Sequence, residues 1–211
     1  MNMLSRRKAI VGAAVTGACV GSAIRLSEPA VSEERIDLTD LSAGWQTVSG
    51  TWGIEAVPGA ARDGRALVQR ATDNEYNVIV APGGPYRDLD VSVRFKPISG
   101  WEDASGGIVF RFAEGRYYLV RANALEDNFR LYYVDGGRRM LASASVMAPM
   151  LGEWHTLRVA TNQDNLRAWL NSRPLINHRD SRFAAGRIGL WTKTDSITAF
   201  DSLVIAAKNA G

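Results

Sequence analysis

Short runs in which apolar and polar residues alternate, each bounded by Gly, Asn or Asp, recur along the chain and are densest between Gly152 and Ile205. Gly152-Glu153-Trp154-His155-Thr156-Leu157-Arg158-Val159, Gly186-Arg187-Ile188-Gly189-Leu190-Trp191-Thr192-Lys193 and Phe200-Asp201-Ser202-Leu203-Val204-Ile205 carry the rhythm. Leu89 to Lys96 is its cleanest case. Leu89, Val91, Val93 and Phe95 fall on one side, and Asp90, Ser92, Arg94 and Lys96 on the other. Side chains of an extended chain alternate between faces, so this period predicts a half-buried strand.

The same reading pairs the runs into hairpins. Gly107–Phe112 and Tyr117–Asn123 turn around Glu114-Gly115, and Phe129–Val134 and Arg138–Val146 around Asp135-Gly136-Gly137. Trp154–Thr161 and Leu166–Leu170 turn through Asn162-Gln163-Asp164-Asn165, and Gly186–Lys193 and Ile197–Ala206 close the set. Gly, Asn and Asp accept the backbone angles that tight turns demand. After residue 35 no run of ten shows a helical period. Closely spaced short strands without helices predict an all-β, two-sheet antiparallel β-sandwich. A chain of 211 residues suits one such domain.

Charge changes the picture less than its total suggests. The formal net charge is +3, yet of 25 basic residues Arg6, Arg7 and Lys8 lie in residues 1–23, which hold none of the 22 acids. The rest of the chain is balanced and presents no overall basic field, which argues against nucleic acid as a partner.

The segment 1–23 reads as an export signal. Ser5-Arg6-Arg7-Lys8-Ala9-Ile10 resembles a twin-arginine signal, an apolar run rich in Ala and Gly follows from Ala9 to Val20, and Gly21-Ser22-Ala23 offers small residues for cleavage. The run is short for a bilayer span. The expected localisation is therefore exported, periplasmic or extracellular, with membrane contact only through this segment if it stays attached. Cys19, the only cysteine, lies inside it, where Thr16-Gly17-Ala18-Cys19 faintly resembles a lipoprotein box. Its removal would leave a chain without disulfides or thiolate metal sites. Residues 24–35 read as a linker, and 36–211 as the domain.

The strand order resembles concanavalin A-like jelly rolls, laminin-G-like domains included. The likeness rests on Gly106-Gly107-Ile108-Val109-Phe110-Arg111, Glu153-Trp154-His155-Thr156-Leu157-Arg158-Val159, Arg167-Ala168-Trp169-Leu170-Asn171, Gly186-Arg187-Ile188-Gly189-Leu190-Trp191 and Phe200-Asp201. Within that group the chain is most similar to a bacterial exported family whose members are often named 3-keto-disaccharide hydrolases. These motifs are mostly turn and core residues. In one departure, Asn171-Ser172 stands where that family commonly turns with Asn-Gly.

Catalytic signatures are missing from the sequence: no His-Glu-x-x-His, no Gly-x-Ser-x-Gly, no Gly-rich phosphate loop, and not the Glu-x-Asp-x-x-Glu of laminarinase-type sandwiches. His155 shares its side of a strand with Leu157 and Val159 and reads as structural. His178, in Asn177-His178-Arg179-Asp180, reads as an exposed residue near a turn.

Ligand groups are easier to find. With Ile108, Phe110 and Phe112 inward, Arg111 faces out, and a turn at Glu114-Gly115 sets it beside Tyr118. With Phe129, Leu131 and Tyr133 inward, Arg130 and Tyr132 also face out. Arg111, Tyr118, Arg130 and Tyr132 would then share one exposed sheet face. Aromatic faces stack on apolar sugar faces and guanidinium forks bond hydroxyls; the alternative is a solvated face of Arg stems over Tyr rings. Asn123-Ala124-Leu125-Glu126-Asp127-Asn128 is the densest polar cluster, at a strand end where sandwiches keep binding loops. Its oxygens suit Ca²⁺, but a loop capping its own backbone, with no cofactor, is the reading taken. Trp101, Asp103 and the Lys193-Thr194-Asp195 loop complete the candidates.

The expected function is an exported module that binds a saccharide on the concave face or rim of the sandwich. One alternative is a hydrolase or lyase of 3-keto-glycosides, as the resemblance implies, with Glu126 or Asp127 as base and Arg111 as oxyanion donor. Another is a structural or protein-interaction module of the envelope.

Overall fold

A computed structural model describes residues 32–207. Its strands are β1 (Ser32–Ile36), β2 (Gln46–Ser49), β3 (Trp52–Ala56), β4 (Arg65–Gln69), β5 (Tyr76–Val80), β6 (Leu89–Ser99), β7 (Ser105–Ala113) and β8 (Arg116–Asn123). They continue as β9 (Asn128–Val134), β10 (Arg138–Ser145), β11 (His155–Asn162), β12 (Asn165–Leu170), β13 (Arg173–Arg179), β14 (Arg187–Lys193) and β15 (Ile197–Ala207). The described residues contain no helix. The expected export segment lies outside them.

The strands form two antiparallel sheets. One runs β13-β12-β11-β6-β15-β4-β3, with β1 also on β15; the other runs β10-β9-β8-β7-β14-β5-β2. This is the predicted all-β sandwich. The expected linker 24–35 enters the sheet at its end, because Ser32–Ile36 already pairs with Ala207–Leu203.

The core lies between the sheets. Leu89, Val91, Val93 and Phe95 of β6 meet Ile108 and Phe110 of β7, Val120 of β8 and Phe129 and Leu131 of β9, all nearly or fully buried. Each such side chain contributes roughly 1.5–3 kcal/mol when fully buried. Turn residues set the pairing. Glu114 (φ 51°) and Gly115 (φ 78°) both take positive φ between paired Ala113 and Arg116, which is the twist a two-residue hairpin requires. Asn171 (φ 48°) and Ser172 (φ 66°) do the same, so the chain tolerates Ser where Gly would sit without strain.

One irregularity positions the site. In β7, Phe110 pairs with Tyr118 but Ala113 pairs with Arg116, so Arg111 and Phe112 together oppose Tyr117. Arg111 takes φ 53° at this bulge. One extra residue reverses the parity of every side chain beyond it. Phe112, expected in the core, therefore turns outward and stacks on Tyr117 with ring centroids 5.8 Å apart.

Candidate functional site

The bulge separates the residues expected on one face. Arg111 is 1% exposed and lies under the end of the sandwich. Its Nη1 donates to the Phe183 carbonyl at 2.8 Å, and its Nη2 to the carbonyls of Arg87 at 2.9 Å and Gln163 at 2.6 Å. Burial lowers its pKa, against the attraction of Tyr118 and Asp88. Tyr118 is likewise in the core: its hydroxyl donates to Asp180 Oδ1 at 2.5 Å and accepts the Phe183 N–H at 3.1 Å. Both are corrections. Arg111 clamps three loops and Tyr118 anchors the 180–183 segment, and neither faces outward. A Cβ at Gly186 would collide with the Arg111 carbonyl carbon, so glycine there allows the bulge to pack.

Arg130 and Tyr132 do lie on the outer face of the seven-stranded sheet, but Tyr132 is only 5% exposed, packed in a cluster rather than open as expected. The true register adds others. Tyr117, Leu119 and Arg121 of β8 share the face, since Leu119 pairs with Tyr132 and Arg121 with Arg130. Trp191 pairs with Gly107 and with Val78, which brings it and Tyr76 into the same layer. Arg138, at the start of edge strand β10, pairs with Val134. Val109, Leu119, Tyr117, Tyr132 and Trp191 pack into one apolar cluster, with Tyr76 and Phe112 against it.

Aromatic rings and guanidinium groups interleave on this floor. Arg138 stands 4.6 Å from the Tyr132 ring centroid, 5.3 Å from Tyr76 and 5.8 Å from Trp191. Tyr76 and Trp191 are 5.7 Å apart and tilted by 30°. Burial pushes the Tyr117 hydroxyl up to about 12 and raises Tyr76 as well, so both remain neutral hydrogen-bond donors in water near neutrality.

At one side sits Glu126, in the β8–β9 turn. Its Oε2 accepts from Arg121 Nη2 at 2.7 Å and Asn128 Nδ2 at 2.9 Å, with Arg130 Nη1 at 3.7 Å. Burial alone would raise its pKa, but the bonds from Arg121 and Asn128 outweigh burial and hold the carboxyl below its usual value. Arg121 and Arg130 also reach the Tyr132 hydroxyl, at 3.5 and 3.4 Å. Asp127 points elsewhere: its Oδ1 accepts the Ala148 N–H at 3.1 Å and ties down the loop that follows β10. Asn123 is buried, and its Oδ1 accepts the N–H of Ala104 and Leu125 at 3.1 and 3.0 Å. Among the described residues no three His, Cys, Asp or Glu side chains gather as a metal-binding group.

The opposite lip is the β6–β7 loop. Asp195 accepts the backbone N–H of Trp101 at 2.5 Å and of Asp103 at 3.0 Å, with Glu102 between them. Burial opposes its charge, but these amides lower its pKa overall. The loop so held presents Trp101 at 91% exposure. Asp103 is buried, accepting from Ser196 Oγ at 3.1 Å and pairing with Lys193 Nζ at 3.3 Å, so it supports the lip rather than facing a ligand. A groove of about 400 Å³ runs here past Trp101, Thr72, Asn74, Glu75 and Thr194.

The two histidines have structural surroundings. His155 packs on Phe95 with ring centroids 5.6 Å apart and bonds the Met150 carbonyl and the Asn171 amide. His178 lies in β13 opposite Leu166 and is half-buried, not exposed as expected.

Arg121, Arg138, Tyr76, Tyr117 and Trp191 were missed from sequence. Arg121 and Tyr117 would have emerged by counting alternate positions back from Asn123 without assuming an even register across the turn. Tyr76 begins a run, Tyr76-Asn77-Val78-Ile79-Val80, buried on both faces, in which alternation is invisible.

The chain matches no protein-family model and no curated protein. It is similar in fold to a carbohydrate-binding module, CBM66, from Bacillus subtilis, at 20% identity over 78% of this chain and 96% of that one, TM-score 0.65. A Bacillus subtilis protein of unknown function with a galectin-like fold aligns at 12% identity over 82% and 94%, TM-score 0.64. Domain 4 of an extracellular arabinanase from Geobacillus stearothermophilus, in complex with arabinotriose, aligns at 14% over 82% and 87%, TM-score 0.53. At these identities the likeness shows the fold alone, a two-sheet β-sandwich.

Proposed function

We propose that this chain is a saccharide-recognition module whose site is the outer face of the seven-stranded sheet, from the Arg121–Glu126–Arg130 group across Tyr132 and Arg138 to Tyr76 and the Trp101 lip. The observation that carries the reading is the gathering of Tyr76, Tyr132 and Trp191 with the guanidinium of Arg138 over one floor. Trp191 is fully buried and Tyr132 is 5% exposed, so these two form the support; the partly exposed Tyr76 ring offers stacking area to the apolar face of a sugar, and flanking guanidiniums and amides offer hydrogen bonds to its oxygens. The carbohydrate-binding module and the arabinotriose-bound domain among the fold neighbours support the reading in general terms. A glycan array, followed by titration calorimetry of the hits, tests it. Tyr132→Ala should lower the affinity of any hit at least about tenfold, with Arg111-side variants of normal stability unaffected.

The reading as a hydrolase or lyase of 3-keto-glycosides draws on the family resemblance alone. Glu126, already ionised and hydrogen-bonded through Oε2, suits holding a hydroxyl or an arginine better than taking a proton. Turnover of a 3-keto-glucoside that is lost in Glu126→Gln would favour the enzyme.

Export is part of the proposal and rests on Arg6-Arg7 and the apolar run behind them. Replacing both with Lys should retain the protein in the cytoplasm; unchanged export would leave a general secretory signal instead.

A further inference from the structure

Taking the outer face as a saccharide site, its unpaired groups specify the kind of saccharide. Arg121, Arg130 and Arg138 share the face with one carboxylate, Glu126, which engages the first two. Arg138 has no acidic partner and donates no hydrogen bond among the described residues; it lies only against rings, and its Nη1 is buried without a partner. The next acid along, Glu75, faces the Tyr76 hydroxyl. A guanidinium taken partly out of water gains from aromatic faces, but its in-plane N–H groups still need acceptors.

The imbalance extends across the face. Arg121 Nε and Nη1, Asn123 Nδ2, Arg130 Nε and Arg138 Nη1 are all buried and unpaired, and every one is a donor. Asn128 Oδ1 is the acceptor among them, and Ser105 Oγ can serve either way. A sugar hydroxyl accepts but must also place its own proton. A carboxylate only accepts, through two oxygens whose spacing matches a guanidinium fork. Arg138 follows Gly136 (φ 59°) and Gly137 (φ 157°) and opens an edge strand, so it can shift to meet such a group without disturbing the sheet.

We propose that the site takes an acidic saccharide, one bearing the carboxylate of a uronate residue, with that carboxylate seated on Arg138.

The test is titration calorimetry of the purified protein with oligogalacturonate, oligomannuronate, oligoguluronate and glucuronate-bearing xylan fragments, each beside its carboxyl-reduced, neutral counterpart, and with a sulfated neutral galactan. At least one acidic oligomer should bind about tenfold or more tighter than its reduced form, and added salt should weaken it. Arg138→Gln should remove that difference; its melting temperature is read alongside, and the comparison of acidic with reduced oligomers on the unaltered protein decides the matter even if the variant folds poorly. Equal binding of acidic and reduced forms overturns the acidic assignment and leaves the saccharide site standing. Binding of the sulfated galactan alone overturns it in favour of sulfate. Absence of binding by every oligomer, acidic or neutral, overturns the saccharide reading itself.

Discussion

Arg111 and Arg138 sit on the same sheet and carry the same group in opposite circumstances. Arg111 is fully enclosed, and its two terminal nitrogens donate to the carbonyls of Arg87, Gln163 and Phe183. The Arg138 guanidinium lies over three rings, and its Nη1 has no partner among the described residues. A cavity of about 620 Å³ opens beside Arg111, larger than the groove of about 400 Å³ beside Trp101. Size alone would favour the end beside Arg111 over the proposed face. Both terminal nitrogens of Arg111 are engaged and only its enclosed Nε is unpaired, which leaves little for a ligand, whereas the Arg138 guanidinium, on an aromatic floor with no hydrogen bond of its own, retains its capacity. The difference separates an arginine that builds the fold from one available for recognition.

The contrast breaks most visibly at Arg111. Arg111→Ala leaves three carbonyls without their donor and opens a cavity. Three hydrogen bonds at about 0.5–1.5 kcal/mol each, together with the packing of a side chain that is 1% exposed, should bring the loss to several kcal/mol and make it plain in thermal unfolding. Ligand affinity of the protein that remains folded should be normal. A small change in melting temperature with lost binding would exchange the roles of the two arginines.

Arg138→Gln should do the reverse. At an edge strand, with cation–π contacts of about 0.5–2 kcal/mol as its main stabilising interaction, the stability change should be small. Affinity for the ligand should fall about tenfold or more, as calorimetry would read.

Glu126 sharpens the picture through pH. Its folded pKa is lowered, so the stability it contributes is present above the unfolded carboxylate value, about 4.3, and is lost as pH falls through the lower folded value. Melting temperature should therefore decline more steeply below that range in the native protein than in Glu126→Gln. Parallel pH profiles would show that the Arg121 and Arg130 contacts do not hold the ionised form.

Trp101 gives the smallest effect on stability. At 91% exposure, Trp101→Ala should change stability by no more than about 0.5 kcal/mol. Affinity should weaken several-fold if the lip contacts the bound sugar, and a difference scan of glycan binding would show it.

Much of the fold was legible because alternation survives where one face is buried and the other is wet, as along Leu89–Lys96. The strands that escaped notice, such as Tyr76–Val80, are buried on both faces or short. The site was half legible for a related reason. Arg130 and Tyr132 lie on a regular strand and were placed on the outer face. Arg111 and Tyr118 were misplaced by the extra residue at the bulge, which no composition signal marks: Arg111 takes positive φ without being Gly, Asn or Asp. Glu126 was singled out as part of a polar loop, but its engagement by Arg121 depends on the same register. Trp101 and Asp103 were read as one loop, and the structure divides them into an exposed ring and a buried support.

The central claim is the location of the site, and chemical-shift mapping during titration with a bound saccharide tests it most directly. The largest amide and side-chain shifts should fall on Arg121, Glu126, Arg130, Tyr132, Arg138 and Trp191. Shifts centred instead on Arg87, Gln163, Arg179 and Phe183, around the cavity beside Arg111, would contradict the account.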